Sequence, residues 1–170
     1  DAVTILMPAG SGDIVVSAAL DTLADSDAGN IILTASATTT TISANITTAG
    51  GTITVTNAAV IAGGGTVTLD TTNGGGTPAG AAISFGGTLD ATTAVTENLT
   101  LVAGTGGNVI FTGLVGDTRR MGAITISSAL GVTTNGVRAA SLVQTTGQGT
   151  TTLNLGDFAS GTTDEALNTN

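Results

Sequence analysis

Gly50-Gly51-Thr52-Ile53-Thr54-Val55-Thr56 and, further on, Gly63-Gly64-Gly65-Thr66-Val67-Thr68-Leu69-Asp70 set the pattern for the whole chain. In both phrases a β-branched or leucine aliphatic alternates with threonine at a period of two. That period sends the aliphatics to one face of an extended strand and the hydroxyls to the other. The glycines before each run admit positive φ and sharp corners, so each phrase reads as a corner followed by a short strand.

Similar runs recur outward from these two: Ile14 to Val16, Ile31 to Thr34, Ile83 to Phe85, Leu99 to Val102, Val109 to Thr112, Ile124 to Ser127 and Thr150 to Leu155. Gly74-Gly75-Gly76, Gly86-Gly87 and Gly104-Thr105-Gly106-Gly107 punctuate them. A helical apolar period is nowhere sustained. The nearest is Ser17 to Ala24, where Ala18, Ala19, Leu20, Leu23 and Ala24 allow one or two turns.

Composition agrees. The 170 residues include 26 Gly, three Phe and no Trp, Tyr, His or Cys, and 41% are hydrophobic. Mean hydropathy is +0.44, too apolar for a disordered chain, so a fold is expected. With so few aromatics its core must be thin and filled by Val, Ile, Leu and Ala, which suits stacked narrow coils. Apolar residues never run to the roughly 18 positions that a membrane-spanning helix requires. Beginning at Asp1, the chain reads as a mature product or a piece of something longer.

Self-comparison finds an internal duplication. Ala9-Gly10-Ser11-Gly12-Asp13-Ile14-Val15-Val16-Ser17 parallels Ala103 to Gly106 and, after an inserted Gly107, Asn108 to Thr112. Gly29 to Leu33 parallels Gly122 to Ile126, and Gly65 to Leu69 parallels Gly149 to Leu153. One continuous stretch, 1–170, thus reads as about two copies of a longer unit, approximately 1–92 and 93–170. A finer beat of 20 to 22 positions joins Ile31 to Ile53 and Leu69-Asp70 to Leu89-Asp90. It predicts an all-β chain built as a parallel β-helix, or β-solenoid, whose rungs stack ~4.8 Å apart. Ile53 to Val67 is only 14 positions, so a two-sheet β-sandwich is the alternative fold. Expected to point inward are Ile31, Ile53, Val55, Val67, Leu69, Ile83, Leu99, Leu101, Val109, Ile124, Ile126 and Leu153.

The phrase running from Glu97-Asn98-Leu99-Thr100-Leu101-Val102-Ala103-Gly104 through Thr105-Gly106-Gly107-Asn108-Val109-Ile110-Phe111-Thr112-Gly113 resembles β-strand-repeat modules of large bacterial surface proteins, in the style of filamentous haemagglutinin and autotransporter passengers. Gly122 to Ala129 and Gly149 to Gly156 look like further phrases of such modules. The resemblance implies a right-handed β-helix at a cell surface with adhesive, matrix or architectural duties. It offers no catalytic residues.

Chemistry is constrained mainly by which residue types are missing. Without His or Cys, Ser-His and Cys-His nucleophile pairs cannot be built. The glycine-rich runs follow strands without opening helices, so they are turns rather than nucleotide cradles. A net charge of −9 with three basic residues opposes nucleic acid and anionic membranes. Asp70 and Asp90 occupy matching places in their phrases. One above the other on adjacent coils, they would form an acid/base pair; at strand ends they are simply solvated. Asp117, Arg119 and Arg120 read as an exposed loop with a local ion pair.

Asp21, Asp25 and Asp27 are the densest acidic cluster, and Asp25-x-Asp27-x-Gly29 matches part of a calcium loop. Asp also favours plain turns, so calcium at Asp25 and Asp27 and an ordinary acidic loop both stay open. Asn45-Ile46-Thr47 and Asn98-Leu99-Thr100 match the glycosylation sequon. Threonine rows at Thr52-Ile53-Thr54 and Thr66-Val67-Thr68 raise an ice-binding or polysaccharide-binding solenoid as a remote alternative, weakened because later runs break the row.

The expected function is therefore a structural or adhesive, non-catalytic component of a bacterial cell surface or extracellular fibre. It would associate end to end, with a surface glycan or host ligand as a further partner. The alternative is a small pilin-like filament subunit that lends the strand Asp1 to Met7 to its neighbour.

Overall fold

The computed structural model describes residues 2–8, 12–23, 28–36 and 38–154. Within them every regular element is a β-strand and there is no helix. The strands form where the sequence alternates. Burial along Ile31–Ala35, Asn98–Val102 and Ile53–Val55 follows the same period of two, with aliphatics inside and Thr34, Thr54 and Thr100 among the outward residues.

The chain visits three sheets in fixed rotation. A first circuit lays down β1 (Val3–Met7), β2 (Ile14–Val16) and β3 (Leu20–Asp21), and a second adds β4 (Ile31–Ala35), β5 (Thr40–Ile42) and β6 (Ile46–Thr47). A third gives β7 (Ile53–Val55), β8 (Ala59–Ile61) and β9 (Thr66–Asp70), and a fourth β10 (Ile83–Phe85), β11 (Leu89–Ala91) and β12 (Asn98–Val102). Then follow β13 (Val109–Phe111), β14 (Met121–Ser128), β15 (Val132–Thr134), β16 (Ala139–Gln144) and β17 (Thr151–Leu153).

Sheet A orders β1-β4-β7-β10-β13-β15-β17, sheet B orders β2-β5-β8-β11, and sheet C orders β3-β6-β9-β12-β14-β16. Single parallel bridges continue sheet B from Leu89 to Val115 and from Val115 to Val137. All ladders between these strands are parallel. Three all-parallel sheets replace the two-sheet sandwich, which needs antiparallel neighbours.

Register turns the inward residues into columns. Val3, Ile31, Ile53, Ile83, Val109 and Val132 stand in line across sheet A, and beside them Ile5, Leu33, Val55, Phe85 and Phe111. Sheet C contributes Val67, Leu99 and Ile124, and Ile46, Leu69, Leu101 and Ile126. Strands of two or three residues are too short to persist alone. They hold because each is laddered to a neighbouring circuit, on both edges within the sheets and on one edge at β2, β3 and β17, while most of their aliphatics enter one shared core, each large side chain worth ~1.5–3 kcal/mol.

Of the twelve residues expected inside, eleven are buried. Leu153 is the exception at 44% exposure, because β17 is the last strand of sheet A among the described residues and no further circuit covers it. Ser17 to Leu23 forms no helical turn. Ala18, Ala19 and Leu23 are exposed, so a helix there would have no apolar stripe to bury, and Leu20–Asp21 instead pairs with Ile46–Thr47.

The finer beat is half right. Ile31 and Ile53, 22 positions apart, are register partners. Leu69 and Leu89 are not, since Leu69 belongs to sheet C and Leu89 to sheet B. The phrases matched by self-comparison also fall on different sheets: β2 on B against β13 on A, β4 on A against β14 on C, and β9 on C against β17 on A.

One core position breaks its column. Thr40 is fully buried between Ile14 and Ala59, and its Oγ1 has no hydrogen-bond partner. A buried unpaired hydroxyl is a net cost. Thr40→Val is expected to raise unfolding free energy by about 1 kcal/mol, read as a higher urea midpoint.

Candidate functional site

The two carboxylates weighed as an acid/base pair do not meet. Asp70 ends β9 in sheet C and pairs with Val102, whereas Asp90 centres β11 in sheet B and pairs with Val60. Leu69-Asp70 and Leu89-Asp90 look alike because each is a strand phrase, yet they lie on different faces. No acid/base pair forms between them.

Each carboxylate instead ties a corner. Asp70 Oδ1 accepts from the Thr72 N–H and hydroxyl, both at 2.6 Å, and its Oδ2 accepts from the Gly74 N–H at 2.9 Å, closing the turn after β9. Glu97, 1% exposed, accepts from the Thr92 hydroxyl at 2.7 Å and the Thr93 N–H at 3.0 Å, holding the loop that enters β12. Glu97→Ala is expected to cost about 2 kcal/mol by stranding these donors, with Glu97→Gln losing less because one acceptor remains. Thermal denaturation of the pair measures the difference.

Asparagines do the equivalent between circuits. Asn30 Oδ1 accepts the Thr52 N–H at 2.8 Å, Asn45 Oδ1 the Thr68 N–H at 2.9 Å, and Asn98 Oδ1 the Ala123 N–H at 2.6 Å. Both sequon asparagines, Asn45 and Asn98, therefore bond a strand of the next circuit, at Thr68 within β9 and Ala123 within β14.

All three cations of the chain lie in one region, on consecutive circuits. Arg119 is exposed and donates Nη1 to the Thr92 carbonyl at 2.7 Å, not to Asp117. Arg120 is half-buried and donates to the Ala139 carbonyl at 2.9 Å, and Arg138 is buried and donates to the Asp117 carbonyl at 3.1 Å. The expected exposed loop is thus partly packed. It folds over the outer face of sheet B, and the Thr118 and Arg119 N–H groups both donate to Asp90 Oδ1, at 2.8 and 2.9 Å.

Asp25 and Asp27 lie outside the described residues. Among the described residues there is no group of three or more Asp or Glu placed to hold a metal ion. Asp21 is exposed and accepts the Leu23 N–H at 3.3 Å.

The threonine rows are on separate faces, Thr54 on sheet A and Thr68 on sheet C. The outward column through Thr54 reads Thr4, Ile32, Thr54, Ser84, Ile110, Thr133 and Thr152, interrupted by two isoleucines. The column through Thr68 reads Thr68, Thr100, Thr125 and Val143. Val3–Met7, expected as a donated strand, is the outermost strand of the chain's own sheet A.

Among the described residues no helix is long and apolar enough to cross a membrane. Comparison with known protein families, with curated proteins and with solved structures finds no match to this chain.

Proposed function

We propose that the chain is a stretch of right-handed parallel β-helix serving as a rigid structural element of a bacterial cell surface or extracellular fibre, with a mechanical rather than catalytic duty. The observation that supports this reading is the repeated rotation through sheets A, B and C with parallel partners from β1 to β17, sheet B continuing after β11 as single bridges and the register shifting once, at Leu101/Val102. Crossovers between parallel strands are right-handed in about 98% of cases, which supports the hand. In such a stack stiffness comes from backbone ladders and apolar columns shared by all circuits, so no single residue is the site.

The first circuit supports association through its end. Val3, Ile5, Met7 and Leu20 pack against the core yet stay only partly buried, and the outer edge of β1 has no strand beside it among the described residues. A free edge above an apolar end accepts another strand, from a second copy or a neighbouring module.

The test is an antibody to residues 1–170 applied to cells of the source organism. Labelling of intact cells, with an immunoblot band far above 16.2 kDa, is the expected result. Labelling only after permeabilisation would remove the surface assignment.

A further inference from the structure

On the outer face of sheet B a depression of about 280 Å³ spans four circuits. Its floor is Ala58 and Val60, Thr39 and Thr88 flank it, and Thr118 and Arg119 of the overlying loop wall it at the Asp90 end. Asp90 is an outward residue, the register partner of Val60, yet only 8% exposed because that loop covers it. Oδ1 is fully engaged by the Thr118 and Arg119 N–H groups, whereas Oδ2 has no protein donor. Oδ2 reaches solvent instead, on a side chain that lines the depression.

From this arrangement we infer that the depression binds one neutral sugar ring of a glycan. The ring's hydroxyls suit what is present: a carboxylate oxygen that only accepts, a guanidinium that only donates, and threonine hydroxyls that do both. Ala58 and Val60 offer methyl groups to the ring's C–H face. One negative and one positive group leave the site without net charge, which disfavours a simple anion or cation. The volume lies at the lower limit for ligand pockets, the size of a single ring rather than a long oligosaccharide. With no aromatic platform the affinity is modest, a Kd of about 1 mM.

The test is an amide NMR titration of the whole chain with the methyl glycosides of glucose, galactose and mannose, and separately with glycine. One or more glycosides are expected to move the Thr118 and Arg119 amides saturably at millimolar concentration, with glycine inert. Val60→Lys, which puts an ammonium beside Asp90 from a half-exposed position, should weaken binding at least tenfold. Asp90→Asn, which keeps an acceptor for the two loop N–H groups, should weaken it several-fold without moving the loop amides in the free protein. Silence from all three glycosides, a response to glycine instead, or binding unchanged in Val60→Lys would overturn the assignment.

Discussion

Gly51→Ala and Gly107→Ala are each expected to lower unfolding free energy by about 3 kcal/mol or to abolish folding, whereas Gly65→Ala stays within about 0.5 kcal/mol. The difference comes from the spacing of circuits, not from backbone conformation. A Cβ on Gly51 would stand 2.0 Å from the Gly29 carbonyl oxygen of the preceding circuit and 2.4 Å from its carbon. On Gly107 it would stand 2.1 Å from the Ala81 oxygen and 2.3 Å from that of Ala103. These neighbours are backbone atoms, with the Gly29 oxygen accepting from the Thr22 hydroxyl and the Ala81 oxygen from the Thr71 hydroxyl, so they cannot swing aside as a side chain would. Gly65 has open space where its Cβ would be. Urea midpoints of the three variants measure this directly. Equal midpoints would mean that the corners are free to re-space, and the circuits would then not be tightly stacked.

That contrast marks what was legible before the structure. Glycine runs announce corners, but a run does not tell which member has a neighbour. Gly50 and Gly63 take φ of 88° and 98°, as corner glycines are expected to, while Gly51 and Gly107 are required for close approach, which only the stacking of distant segments creates. Sheets A and C were largely readable because Ile31–Ala35, Thr66–Asp70 and Asn98–Val102 are long enough to alternate. Sheet B was not, apart from Ile14–Val16. Thr40–Ile42, Ala59–Ile61 and Leu89–Ala91 are three-residue pieces with Thr and Ala at inward positions, too short and too small to show a period.

The candidate site was lost for the same reason. The shared Leu-Asp phrase aligns Asp90 with Asp70, whereas its partner across sheet B is Val60, in a strand too short to show a period. Nothing local to Asp117, Thr118, Arg119 and Arg120 says that this loop folds back over Asp90, because the two N–H donors are 28 and 29 residues away in sequence. The one available signal was composition, since three arginines confined to residues 119–138 of an otherwise acidic chain mark a region built differently from the rest.

Phe85→Ala is expected to cost about 4 kcal/mol, the largest effect of any truncation in the core. Phe85 and Phe111 are both 1% exposed on adjacent strands of sheet A, and their rings stack with centroids 5.4 Å apart and planes within 9°. Truncation leaves a cavity bounded by Val55 on one side and Phe111 on the other, and parallel ladders on both edges prevent the strands from closing it. Leu153→Ala, at the exposed end of the stack, is expected to cost under about 1 kcal/mol although it too removes a large apolar side chain from a strand of sheet A. Chemical denaturation of the two variants side by side tests whether stability resides in the columns. A loss for Phe85→Ala no greater than for Leu153→Ala would show that the apolar columns do not hold the circuits together. The proposed mechanical role would then lose its physical basis, because a stack whose core can be hollowed without cost transmits no load from one circuit to the next.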